Sequence, residues 1–277
     1  MNASELIWMF FLLSALQPVL KQRLLDASRQ RLIGAIERKR GSRVIVLVHR
    51  QETMSFLGFP VYRYIDVNDS EEVLRAIQLT GPDVPIDIVL HTPGGLVLAS
   101  MQIARALKNH PGKVTAVVPH MAMSGGTLIA LAADNIIMSH HAVLGPVDPQ
   151  LGRYPAASIL KVVEEKPVKD IEDETLILAD QARKAMDQIR EGVVELMAGT
   201  CQEDHCLAIA RMLSEGRWTH DHPIIPREAI SLGLPVTTDI PPEFLDLMAL
   251  YPQPVRRQPT VEYLPTRRDG GHGTAQD

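Results

Sequence analysis

Apolar positions follow two different periods along this chain, and the two alternate. Arg43–His49 (RVIVLVH), Ile86–Leu90 and Val114–Val118 are short, largely uninterrupted apolar runs, the pattern of strands covered on both faces. In Leu96–Leu107, Thr127–Ala133 and Glu174–Met197 the apolar residues recur instead at helical spacing. In the last of these, Leu176, Ile177, Ala179, Ala182, Met186, Ile189, Val193 and Leu196 share one side. Val61–Val67, Asn135–Met138 and Ala142–Leu144 read as further strands. Asn68, Asp69 and Ser70 cap a helix over Glu71–Leu79. Gln51–Pro60 and Gly145–Gly152 (GPVDPQLG) read as loops, and Tyr154–Val163 as a helix. Cys206–Leu213 and Arg227–Leu232 are shorter helices, the second ended by Gly233. Strands alternating with helices predict a parallel, layered α/β fold.

The two ends depart from that pattern. Leu6–Leu20 (LIWMFFLLSALQPVL) is strongly apolar over 15 residues, short of the roughly 20 that span a bilayer. Glu5 precedes it and no Lys or Arg does, so the basic flank of a secretory signal is missing. Lys21, Arg23, Arg29 and Arg31 follow, with Arg38, Lys39, Arg40 and Arg43 beyond. By the positive-inside rule this flank stays cytoplasmic. The expectation is a possible membrane anchor over residues 1–20, a basic helix or linker over 21–42, and a cytoplasmic body over 43–250. The competing expectation is an amphipathic N-terminal helix buried in an oligomer interface. Residues 251–277 are polar and rich in Pro, Gly and Arg, which predicts a disordered tail.

A net charge of −5 argues against a general nucleic-acid partner. Cys201 and Cys206 are the only cysteines, too few for a disulfide framework. With His205 between them they lack the ligands of a zinc site and read as two small helix residues. Thr219-His220-Asp221-His222 is the most metal-like stretch, yet no third ligand is evident. No phosphate-binding or dinucleotide motif follows a strand, so neither cofactor nor metal is expected.

Candidate chemistry gathers at two glycine-rich segments, His91-Thr92-Pro93-Gly94-Gly95 and Met121-Ala122-Met123-Ser124-Gly125-Gly126. Gly94 and Ser124 are 30 positions apart, and each segment joins a strand to a helix. That places two tight turns side by side in one sheet. One offers bare backbone N–H groups; the other offers a serine hydroxyl at a helix start. A nucleophile beside oxyanion donors is the minimum for acyl transfer. The segment is not the G-x-S-x-G elbow of α/β-hydrolases.

With the loop Gly145-Pro146-Val147-Asp148-Pro149-Gln150 and the closing segment Ile225–Leu234, these turns resemble the Clp-protease/crotonase superfamily. Within it the chain is similar to the serine dehydrogenase proteinases, relatives of signal peptide peptidase A, over roughly residues 40–240. The resemblance implies a repeated ββα spiral. It implies Ser124 as nucleophile, the N–H groups of Gly95 and Gly125 as an oxyanion hole, and Gly94 as the residue that sets the turn. Members of the superfamily assemble into rings or trimers, so a homo-oligomer acting on polypeptides is expected, associated with a membrane through the N-terminal segment.

The base departs from the family pattern. Clp-type proteases carry a histidine about 25 residues after the serine, and none stands at the matching spot here. His140 and His141 fall early. Relatives of signal peptide peptidase A use a lysine, which must be desolvated to act. Lys166 and Lys169 lie among Glu164, Glu165 and Asp170, which would hold them protonated. Lys184, between Ala182, Ala185 and Met186, is the expected base of a Ser124–Lys184 dyad, with Lys161 second. The contrary reading makes Lys184 an exposed helix lysine paired with Asp180 or Gln188. Asp148 reads as a turn-capping residue. His91 and His120 flank the turns. Two other readings stay open: a non-catalytic, membrane-associated oligomeric scaffold of this fold, and a crotonase-like acyl-CoA enzyme.

Overall fold

The computed structural model describes residues 3–49, 54–56, 59–61 and 63–251. The chain opens with α1 (Ala3–Arg40), β1 (Arg43–Val48), β2 (Met54–Phe56), β3 (Phe59–Val61) and α2 (Val67–Gln78). Next come β4 (Ile86–His91), α3 (Val97–Lys108), β5 (Val114–Val118), β6 (Met121–Ala122), α4 (Gly125–Leu131), β7 (Asn135–Met138) and β8 (Val143–Leu144). A small hairpin, β9 (Gln150–Leu151) and β10 (Tyr154–Pro155), leads into α5 (Ala156–Glu165) and α6 (Asp173–Met197). The chain closes with α7 (Glu203–Ser214), α8 (Pro226–Ser231), β11 (Val236–Thr237) and α9 (Pro242–Ala249).

The five strands β1, β4, β5, β7 and β11 form one all-parallel sheet in the order β1-β4-β5-β7-β11. Alternation along them divides the core. Ile45, Leu47, Ile86, Ile88, Leu90, Val114, Ala116 and Val118 face one side, where α3, α4, the second half of α6 and α7 cover them. Val44, Val89 and Val117 face the other, against Ile36 of α1 and Phe244, Leu247 and Met248 of α9. Asp87 shares that second face, only 2% exposed. Arg40 closes on it with two bonds, 2.6 and 2.8 Å, and the Ser42 hydroxyl donates to it at 2.5 Å. A buried carboxylate so paired ties α1 to the sheet, and deleting one partner typically costs about 3–5 kcal/mol.

Four expectations change. The N-terminal stretch is one helix from Ala3 to Arg40, with no break at residue 20. Among the described residues no helix is long and apolar enough to cross a membrane. The side chains of residues 3–15, and with them most of the expected anchor, lie outside the described residues, as do residues 252–277 of the expected tail. The helix placed at Glu71 starts at Val67, because Asp66 and Asp69 exchange backbone and side-chain bonds in a capping box. The loop and strand expected over Gln51–Pro60 and Val61–Val67 exchange character: β2 and β3 pair as a hairpin inside the expected loop, Val61 ends β3, and Ile65 keeps a bridge to Gly95. Finally, Cys201 and Cys206 form a disulfide, Cα atoms 5.7 Å apart. Cys201 precedes α7 instead of lying on it, and the turn through Gly199 folds it back onto the helix.

Candidate active site

The two glycine turns meet. β4 continues past its end so that Thr92 bridges Ala122, with Thr92 N–H donating to Met121 O (3.1 Å) and Met123 N–H to Thr92 O (3.0 Å). On its other side the same segment pairs with Ile65, whose N–H donates to Gly94 O (2.8 Å) and whose carbonyl accepts Leu96 N–H (2.8 Å). Strand geometry then aims the Gly95 N–H away from Ile65, toward the serine turn. Neither Gly95 N–H nor Gly125 N–H donates to any described residue. The approach is tight: a Cβ on Gly94, whose φ is +106°, would lie 2.7 Å from Ser124 Cβ and 3.1 Å from Gly125 N. Gly125 is likewise too close to Ser100 for any side chain.

Ser124 stands at the corner between β6 and α4 with φ +50° and ψ −115°. Among the described residues it is the one non-glycine with positive φ. Such a conformation costs about 1–3 kcal/mol and persists only where its surroundings enforce it. Here they do. Thr127 Oγ1 lies 2.8 Å from Ala122 O and 2.9 Å from Gly145 O, and accepts Gly145 N–H at 3.0 Å. Although Ser124 begins a helix, its hydroxyl makes no capping bond, and among the described residues it has no hydrogen bond at all. The hydroxyl is free to react.

The loop after β8 packs against this corner, Gly145 lying against the Met123 side chain. It also pairs with the segment after α7. Leu144 and Ile224 form an antiparallel bridge with both bonds made, 3.0 and 2.9 Å. Four residues forward on one chain and four back on the other bring Asp148 opposite His220. Asp148, 3% exposed, takes the His220 Nδ1 at 2.8 Å and the Gln150 amide at 2.6 Å. The bond to Asp148 raises the His220 imidazole above its ordinary value, with partial burial opposing it. In a neutral imidazole a carboxylate bonded to Nδ1 draws the hydrogen to that nitrogen and leaves Nε2 as the acceptor.

The family model described as ClpP-like SDH-type serine proteinase matches residues 1–275. The chain belongs to that family. Two uncharacterised proteins of Methanocaldococcus jannaschii are close relatives of this SDH-type proteinase. One is 51% identical over 263 residues, 95% of this chain and 92% of the relative. The other is 50% identical over 258 residues, 93% and 88%. Among solved structures, a mutant of the 1510-N membrane-bound stomatin-specific protease aligns with TM-score 0.46 and 22% identity, over 66% of this chain and 79% of that one. A second mutant, in complex with a substrate peptide, aligns with TM-score 0.44 and 23% identity, over 64% and 72%. The ClpP-like fold expected from the sequence is therefore the fold of this SDH-type proteinase.

The other candidate residues lie elsewhere in the proteinase. Lys184 sits on the outside of α6, its side chain 69% exposed and its Nζ 2.5 Å from Asp180. The desolvation that a lysine base requires is absent there. Lys161 is equally exposed on α5 and faces Glu165 at 3.7 Å. His91 and His120 meet edge to face, ring centroids 5.5 Å apart. His222 stacks on Trp218 at 4.9 Å, so the metal-like stretch divides between different partners. Asp148 and His220 each stand out in the sequence, as a turn residue and in the metal-like stretch, but nothing local in it pairs them. The available signal was position: Asp148 falls 24 residues after Ser124, where Clp-type proteases carry a histidine.

Proposed function

We propose that this chain is a serine endopeptidase that uses Ser124 as nucleophile and His220, oriented by Asp148, as general base. His220 takes the Ser124 proton as the hydroxyl attacks the scissile carbonyl, and returns it to the leaving amine. The N–H groups of Gly95 and Gly125 receive the oxyanion, Gly94 fixing the turn that carries the first, and the N-terminus of α4 adds its dipole. The strained, unbonded Ser124 is the observation that carries this reading. A structural serine at a helix start caps the helix; this one holds an unfavourable backbone conformation and leaves its hydroxyl unused.

The Ser124–Lys184 dyad would require Lys184 to leave both Asp180 and solvent, and nothing in its surroundings supports that. A fluorophosphonate probe separates the two. Labelling is expected in the wild type and absent in Ser124→Ala. In His220→Ala it slows by at least about 10², the usual worth of a general base, and in Lys184→Ala it is unchanged. Equal labelling of wild type and Ser124→Ala would end the peptidase reading. Loss in Lys184→Ala with retention in His220→Ala would return the base to the lysine. The substrate is a polypeptide. Homo-oligomerisation, and membrane attachment through residues 6–20, belong to the same proposal. In their support, Leu16, Leu20 and Leu24 stand exposed four residues apart along one side of α1.

A further inference from the structure

A buried imidazole that this mechanism does not use stands behind the oxyanion turn. His49 follows β1, is 3% exposed, and is fixed through its backbone by an N–H bond to His91 O at 2.7 Å. Its Nε2 is 3.2 Å from Asp69 Oδ2, in the first turn of α2. Its Nδ1 is 2.9 Å from Thr92 Oγ1. That same oxygen accepts the Gly94 N–H at 3.1 Å. Three consecutive bonds thus lead from a carboxylate to the residue that sets the turn.

The direction of each bond follows from the donor inventory. A carboxylate donates nothing, so Nε2 carries the hydrogen toward Asp69 and Nδ1 is left as an acceptor. The Thr92 hydroxyl then donates to Nδ1 and keeps its lone pairs for Gly94 N–H. A second proton on His49 reverses the chain. Nδ1 becomes a donor, and the Thr92 hydroxyl must turn toward Gly94 O, 3.4 Å away. That carbonyl already accepts Ile65 N–H, the bond that holds the strand segment bearing Gly95 in place.

We propose that His49 is a positioning residue for the oxyanion turn: its neutral imidazole, oriented by Asp69, holds Thr92 and through it the Gly94–Gly95 backbone in the donating conformation. The inference rests on the peptidase reading above. Among the described residues, the groups facing His49 are Asp69 from α2, Asp66 at its N-cap, Arg63 from the segment before it, and Thr92 just after β4. Burial holds the imidazole below its ordinary value, against the pull of Asp69, so it is neutral at pH 7. A cavity of about 610 Å³ bordered by His49, Asp69 and Gly95 gives solvent protons a route to it.

The test uses the full chain, fluorophosphonate labelling and peptide hydrolysis across pH, and amide NMR of the wild type. His49→Ala is expected to lower kcat roughly tenfold to a hundredfold with KM little changed, because the displaced donor acts only in the transition state. His49→Asn, whose amide reaches Thr92 and does not titrate, is expected to recover most of that loss. The wild-type acid limb should steepen to a two-proton dependence below the His49 titration, and His49→Asn should keep a one-proton limb. The Gly94 amide resonance of the wild type should titrate together with the His49 imidazole. A two-proton limb surviving in His49→Asn, or a Gly94 amide indifferent to that titration, overturns the proposal. If the wild type itself is not labelled at Ser124, it is the peptidase reading that fails, and the NMR titration still decides the contact. Should His49→Ala not fold, the Asn variant and the wild-type titration carry the test.

Discussion

Gly94→Ala probes the junction between the two turns. The new Cβ would lie 2.7 Å from Ser124 Cβ, 2.9 Å from Met123 O and 3.1 Å from Gly125 N. All three are backbone or β-carbon atoms, which no rotamer change can move aside. At φ +106° alanine adds conformational strain of about 1–3 kcal/mol, and overpacking adds about 1–3 kcal/mol more. The sum is about 2–6 kcal/mol. At about 2–4 °C per kcal/mol for a domain of this size, the melting temperature should fall by about 4–24 °C. Relief of the contact pushes Gly95 N–H away from Ser124, and losing one oxyanion donor costs about 10²–10³ in rate. Gly41→Ala is the control: φ is +63°, yet nothing lies within 4 Å of the added Cβ. It should show the strain without any change in rate. Scanning calorimetry and the second-order rate of fluorophosphonate labelling measure the two effects. A folded Gly94→Ala protein that labels at the wild-type rate would refute the oxyanion role of the turn, whatever its melting temperature.

Two more outcomes follow from the same site. Ser124→Gly should raise stability by about 1 kcal/mol in urea denaturation, since strain of about 1–3 kcal/mol is relieved and about 0.5–1 kcal/mol is lost to glycine's chain entropy. Ser124→Ala should leave stability unchanged, and both should be inactive; a glycine variant less stable than the alanine variant contradicts the strain argument. Asp148→Asn removes the partner that raises the His220 imidazole. A raised histidine contributes stability that is complete below its unfolded value, about 6.5, and is lost as pH climbs through the higher folded value. The stability gap between wild type and Asp148→Asn should therefore be wider at pH 5.5 than at pH 9, and a gap that widens with pH excludes the charged pair.

The sheet was legible because its signal is local. Ile86–Leu90 and Val114–Val118 carry apolar residues on both faces, interrupted only by Asp87 and Thr115, and strands stand there within a residue of those bounds. The long periodic stretch beginning at Glu174 became α6 for the same reason. The serine corner was legible too, since glycines beside a serine between strand and helix leave few alternatives. Pairings set by distant segments were not legible. Asp148 and His220 are 72 residues apart and meet through the register of Leu144 with Ile224, which no local pattern encodes. Lys184 looked desolvated from its apolar neighbours Ala182 and Met186. On a helix, however, a residue two positions away points elsewhere, and Lys184 faces solvent. Asn68, Asp69 and Ser70 are all competent capping residues, so sequence alone does not rank them below Asp66, the residue that caps α2.

The Cys201–Cys206 bond closes a small ring at the start of α7, both cysteines lying beyond the end of α6 at Met197. A covalent clasp there pins the incoming chain to the first turn of its helix, so α7 cannot fray from that end while the bond is intact. Residues 198–200 are left as the whole of the joint between the two helices.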